Sequence, residues 1–264
     1  MAATFLWDGS YAVAGALTGF IVGLTGVGGG ALMTPILLLF FDVAPVTAVA
    51  TDLWFAVVTK LVATALHGKT GRVDWPVVIR LWAGSLPVSL LVVLLVHHGE
   101  KIPRVHGLSQ MIGVVVAVTA MGLLFAPSLQ NQALKRRVGN PDNFLAIQPF
   151  LTMMAGALLG VCVALTSVGA GALGSVLLLY LYPQRLTPQR LVATDIVHAL
   201  PLAMVAGSGY LLAGLVDTPI LLNLLAGSIP AVILGSLFSL QLDSRCLRIA
   251  LALVLFAVGI KTLL

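Results

Sequence analysis

Apolar runs long enough to cross a bilayer constrain this chain more than any other feature. Six fall at about residues 46–66, 76–97, 106–126, 187–210, 218–241 and 247–264. A helix needs about 20 such residues to span the hydrocarbon core. Four shorter runs, at about 11–26, 30–41, 149–166 and 170–182, form two pairs, each divided by glycines. With 59% of residues apolar and 9% charged, a soluble fold has too little polar surface to cover its core. The expectation is an all-α polytopic membrane protein. The same numbers exclude a disordered chain, a coiled coil, a disulfide scaffold and a DNA-binding domain. The opening MAATFLWDGS reads as the approach to the first membrane segment, not as a cleaved signal peptide.

The two halves repeat one another. Gly15, Ala16, Leu17 and Gly19 recur as Gly156, Ala157, Leu158 and Gly160. LTGVGGGAL (Leu24 to Leu32) recurs as LTSVGAGAL (Leu165 to Leu173), and VATD (Val49 to Asp52) recurs as VATD (Val192 to Asp195). Val73, Asp74 and Pro76 recur as Val216, Asp217 and Pro219, and AGSLP (Ala83 to Pro87) recurs as AGSIP (Ala226 to Pro230). The offset is 141 residues in the glycine-rich part and 143 afterwards, as one two-residue insertion would produce. A shared register at fixed spacing marks a duplicated unit. The expected domains are a first membrane repeat over 1–127, a polar cytoplasmic linker over 128–148 and a second membrane repeat over 149–264.

Charge decides how the halves insert. With five segments per half, one face carries Lys69, Arg72, Arg80, Lys135, Arg136, Arg137, Arg185, Arg190, Arg245 and Arg248. The other carries Lys101, Arg104 and Lys261. Four segments per half would erase this bias, so the positive-inside rule favours the odd count. An odd count inserts the halves in opposite senses, the inverted-repeat plan of many secondary transporters. Both termini are then expected outside.

Several residues at membrane depth are candidates for chemistry. The first group is the pair of glycine-rich turns, Thr25 to Gly30 and Thr166 to Gly171. Backbone interrupted inside a membrane leaves N–H groups that protein, water or a ligand must satisfy. A helix start also favours negative charge through its free N–H groups and dipole. Gly28, Gly29, Gly30, Gly169, Ala170 and Gly171 are therefore candidate substrate-binding positions, with the hydroxyls of Thr25, Thr166 and Ser167 beside them. The competing reading is that small residues serve close helix packing and the hydroxyls bond back to their own helices. Neither turn is a P-loop or a dinucleotide fingerprint, and no cofactor is expected.

The second group is ionisable. Asp52 and Asp195 fall about two turns inside apolar helices, where an acid is a functional candidate by default. A carboxyl that alternates between charged and neutral forms there can carry a proton; the alternative is helix capping or bracing. His198, three residues after Asp195, shares its helix face and is a candidate for the same proton coupling. Lys60 lies eight residues after Asp52, about 12 Å along the helix axis. It either faces the substrate or snorkels to the nearer interface. Asp74 and Asp217 read as helix-start signals. Cys162 and Cys246 suggest neither a disulfide nor a metal site, and His97, His98, Glu100 and His106 fit no standard metal spacing.

A Gly-rich turn followed by Leu and Pro (GVGGGALMTP), with an Ala-Thr-Asp segment after it, resembles the TauE/SafE sulfite exporter family across essentially the whole chain. The second turn departs from that pattern, with Ala170 in place of a glycine and Val176 where Pro35 stands in the first half. The resemblance implies a permease for small organosulfur or related anions, such as sulfite, sulfonates or sulfoacetate, in a bacterial inner membrane. The combined expectation is an alternating-access secondary transporter, with proton coupling as an option. Its partners would be a small anion and the lipid bilayer, with no nucleic acid, and a homo-oligomer is compatible. The alternative is a membrane scaffold or subunit that moves nothing itself. An enzyme is disfavoured, because His198 and Asp195 alone do not assemble a nucleophile, a base and an oxyanion site.

Overall fold

The computed structural model describes residues 8–25, 30–66, 73–98, 141–169 and 171–238, with separate positions between 110 and 132 and between 253 and 260. Among the described residues the chain is helical throughout its regular structure. We number the helices α1 (Gly9–Thr25), α2 (Gly30–Phe40), α3 (Pro45–Leu66), α4 (Trp75–His98), α5 (Pro141–Thr166), α6 (Ala172–Leu181), α7 (Pro188–Leu212) and α8 (Thr218–Phe238). Five of them, α3, α4, α5, α7 and α8, are long and apolar enough to cross a membrane. The fifth segment of each half falls largely outside the described residues.

Local sequence explains where these helices start. Pro188 opens α7, and Thr187 ahead of it accepts a hydrogen bond from the Arg190 N–H, so a proline and a hydroxyl share the orphan donors of the first turn. Asp217 does the same for α8, its Oδ1 accepting from the Ile220 N–H at 3.0 Å. Pro35, Pro87, Pro149, Pro201 and Pro230 lie inside helices, which packed membrane helices tolerate. One boundary differs from the sequence reading. α5 starts at Pro141 and runs 26 residues, inside the segment read as a linker and longer than the apolar run at 149–166. Helix propagation needs only one hydrogen bond per added residue, so polar residues such as Gln148 join a helix whose apolar part lies further on.

The two most extensive interfaces are α1 along α8 and α4 along α5. These pairs exchange when the two halves are exchanged, as do α3 with α8 and α7 with α4. The glycines explain the close seams. A Cβ on Gly19 would meet the Ser228 carbonyl oxygen at 2.6 Å, and one on Gly160 would meet the Ser85 carbonyl oxygen at 2.5 Å. Gly15 and Gly156 stand closer still to the carbonyls of Leu224 and Leu81. Small residues one turn apart let backbones approach in this way. The four positions belong to the repeated Gly-Ala-Leu-x-Gly stretch, so the repeat records a packing rule as well as an ancestry.

Candidate functional site

The second glycine-rich turn is a break between helices. α5 ends at Thr166, and Ser167 adopts a left-handed φ of 56°, uncommon for a residue with a Cβ. Gly169 and Gly171 follow with φ of 126° and 119°, values open mainly to glycine. α6 then begins with Gly171 as its N-cap and no side chain capping it. Ala170 lies outside the described residues. So do Gly28 and Gly29; the first turn is defined only by the end of α1 at Thr25 and the start of α2 at Gly30.

Thr166 bonds to its own backbone. Its hydroxyl donates to the Cys162 carbonyl at 2.6 Å and accepts from the Val168 N–H at 3.2 Å, so it braces the break. Ser167 differs. Its buried hydroxyl faces the Asp52 carboxylate from the opposite half, but neither Ser167 Oγ nor Asp52 Oδ1 completes a hydrogen bond among the described residues.

Asp52 and Asp195 are both buried, and each lies against the first two turns of the short helix of its own half. Asp52 Oδ2 accepts from the Thr34 N–H at 3.1 Å and the Thr34 hydroxyl at 2.6 Å, both on α2. Asp195 faces the Gly171 N–H at the start of α6, and its Oδ1 lies 2.7 Å from where a Cβ on Gly174 would stand. The helix starts expected to await a guest anion are thus in contact with carboxylates of the chain itself. Asp195 faces the first turn of α6 and Asp52 the second turn of α2, and neither contact is to the start of the acid's own helix.

Lys60 is 3% exposed, so it does not snorkel. Its ammonium interacts electrostatically with both Asp195 and Asp52 and with His198. His198 is fully buried; its Nε2 pairs with Ser85 Oγ at 3.0 Å, and its Nδ1 has no partner among the described residues. Four buried polar atoms are thus unsatisfied around one ammonium: Asp52 Oδ1, Ser167 Oγ, Asp195 Oδ1 and His198 Nδ1. A buried unsatisfied group costs about 1–3 kcal/mol, so their concentration in one place calls for a function. The cluster draws on both halves unequally. The positions equivalent to Lys60 and His198 are Ala203 and Phe55.

Two contributors were not singled out from the sequence, Thr34 and Ser85. Both carried a signal. Thr34 has a hydroxyl counterpart in Ser175, and Ser85 stands in the repeated AGSLP and AGSIP stretches. The Thr of each Thr-Asp pair has a separate task. Thr194 Oγ1 accepts from the Asp74 N–H and Thr51 Oγ1 from the Asp217 N–H, each at 3.1 Å. Each dipeptide therefore turns its acid toward the cluster and its hydroxyl toward the other half.

Comparison with known proteins agrees with this architecture. A sequence profile described as sulfite exporter TauE/SafE matches residues 11–262. The chain is 33% identical over 254 residues to the "Probable membrane transporter protein YjnA" of Bacillus subtilis (strain 168), covering 94% of this chain and 96% of that one. It is 34% identical over 83 residues to the "Probable membrane transporter protein YunE" of the same organism, covering 31% and 30%. No solved structure matches. A profile spanning nearly the whole chain and a relative matched end to end place the protein: it belongs to the sulfite exporter TauE/SafE family of membrane transporters.

Proposed function

We propose that this protein is a secondary transporter carrying a small organosulfur or related anion, of the sulfite, sulfonate or sulfoacetate type, across a bacterial inner membrane. Two inverted halves rock against each other in alternating access, and Asp52, Asp195 and His198 couple the movement to protons. The observation that carries this reading is the buried cluster itself: one ammonium, two carboxylates and four unsatisfied polar atoms beside a helix break. Such a cluster is too costly for a scaffold and lacks the grouped nucleophile and base of an enzyme. Lys60 supplies the positive charge for the guest, and the starts of α2 and α6 add their dipoles. Helix pairs that exchange when the halves are exchanged support the inverted repeat, and the ten-to-three charge bias supports periplasmic termini.

Purified protein in proteoliposomes tests this directly. Labelled sulfite or a short sulfonate should accumulate, and Lys60→Met should lower the rate at least tenfold while leaving the protein folded. Absence of flux from a folded, correctly inserted protein would favour the non-transporting scaffold. A cysteine at Val138 should label from the cytoplasmic side only; labelling from outside would reverse the topology.

A further inference from the structure

We propose that Asp52 and Asp195 are the chain's own occupants of the anion site, and that a guest anion binds only as a proton neutralises the carboxylate it displaces. This rests on the transporter reading above and specifies its coupling. Three independent features of the site converge on it.

The first is position. Asp195 lies against the opening turn of α6, its carboxylate facing the Gly171 N–H and its Oδ1 standing 2.7 Å from where a Cβ on Gly174 would be. Asp52 lies on the opening turns of α2, holding both the N–H and the hydroxyl of Thr34. The Asp195 carboxylate therefore fills the place at the start of α6 where an external carboxylate or sulfonate would be favoured, and the Asp52 carboxylate occupies the second turn of α2.

The second is incompleteness. One oxygen of each carboxylate has no partner among the described residues, and the same holds for Ser167 Oγ and His198 Nδ1. A capping acid at the protein surface leaves its second oxygen to water, whereas these spare oxygens are buried, where an unsatisfied polar atom is costly. Here the unused atoms lie on α3, α7 and the break between α5 and α6, and they remain available to a ligand or to a proton.

The third is charge. The ionisable side chains of the cluster are Asp52 and Lys60 on α3 and Asp195 and His198 on α7. The neighbouring α2, α4 and α6 and the break present Thr34, Ser85, glycines and Ser167. With both carboxylates ionised and His198 neutral the cluster carries one net negative charge, which opposes an anion in a low-dielectric setting. A proton added to one carboxylate oxygen brings the cluster to neutrality. It also weakens that group's hold on the helix start and on Lys60, so both turn to the guest. No covalent bond in the guest forms or breaks.

The experiment is a binding titration of purified protein with methanesulfonate, whose acid group stays ionised from about pH 5 to pH 8. Affinity should rise about tenfold per unit fall in pH for one linked proton. Calorimetry in buffers of different ionisation enthalpy should register about one proton taken up per anion bound, a readout that needs no variant. Asp195→Asn and Asp52→Asn, which keep the shape of the side chain, should flatten the slope while retaining binding. A parent affinity indifferent to pH, no proton uptake, or a slope unchanged in both Asn variants would overturn the proposal and leave the transporter reading standing. Failure of folded protein to bind methanesulfonate, sulfite or sulfoacetate at any pH would overturn both.

Discussion

The start of α4 and the start of α8 occupy equivalent places in the two halves, yet they are built from different chemistry. Both share one element, an aspartate N–H donated to a threonine of the other half. Beyond it they diverge. At α4 the buried Asp74 carboxylate takes a two-pronged contact from Arg185, at 2.6 and 2.7 Å, and Arg190 stands 3.8 Å away. Tyr182 is bonded to Thr152 at 2.7 Å and reached by Arg80 at 3.4 Å. At α8 the positions equivalent to Thr152 and Tyr182 are Tyr11 and Phe41, which stack at 4.3 Å. Asn223 stands in place of Arg80, and Asp217 caps its own helix. The lesson is that the two halves share this backbone contact, while the side chains around it differ. Arginine gathered at the end that the charge bias assigns to the cytoplasm.

Five substitutions break or sharpen this comparison, from the largest effect to the smallest. Gly19→Leu and Gly160→Leu should act alike, because each forces a side chain into a helix seam bounded by backbone. Each should cost about 3 kcal/mol or more by overpacking, read as loss of monodisperse protein and a lowered melting temperature in detergent. If one variant alone were damaged, the seams would not be equivalent. Next, Asp74→Asn should cost about 2–3 kcal/mol, because a charge-assisted bidentate contact from a half-exposed arginine is lost. Asp217→Asn should cost about 1 kcal/mol or less, since asparagine still caps a helix. Equal melting shifts for the two would erase the asymmetry drawn above.

The smallest effect lies at Asp8, which bonds through its N–H to Asn223 near the α8 end. The hydroxyl and N–H of Ser10 hold the exposed Asp8 carboxyl below its ordinary range. A lowered carboxylate contributes stability above its unfolded pKa and loses it as pH falls through the folded value. Asp8→Ala should therefore lower the melting temperature slightly at neutral pH, and the gap should close in strong acid. A gap that widened on acidification would contradict the assignment.

Much of the candidate site was legible residue by residue. Asp52, Asp195, Lys60 and His198 stood out because an ionisable side chain in an apolar helix is rare and expensive. All four meet in one cluster. Thr166 was left open between guest and backbone, and its hydroxyl reaches a carbonyl one turn earlier. Thr34 and Ser85 escaped notice because a hydroxyl in an apolar helix is cheap and common. Asp74 read as a helix-start signal; its backbone carbonyl does accept from the Val77 and Val78 N–H groups, but its carboxylate turns to an arginine 111 residues away.

From its amino acids alone the chain declared a helical membrane architecture, a duplicated unit and the acids and lysine worth watching. Each of these follows from solvent preference and periodicity, which act locally or repeat along the chain. Only the tertiary structure decided that Lys60 sits among two carboxylates instead of reaching for the interface, and that those carboxylates already rest on the first two turns of α2 and α6. Such pairings depend on which helix faces which across the two halves. That is settled by packing glycine-lined seams and by satisfying buried polar atoms together, and no single segment encodes it.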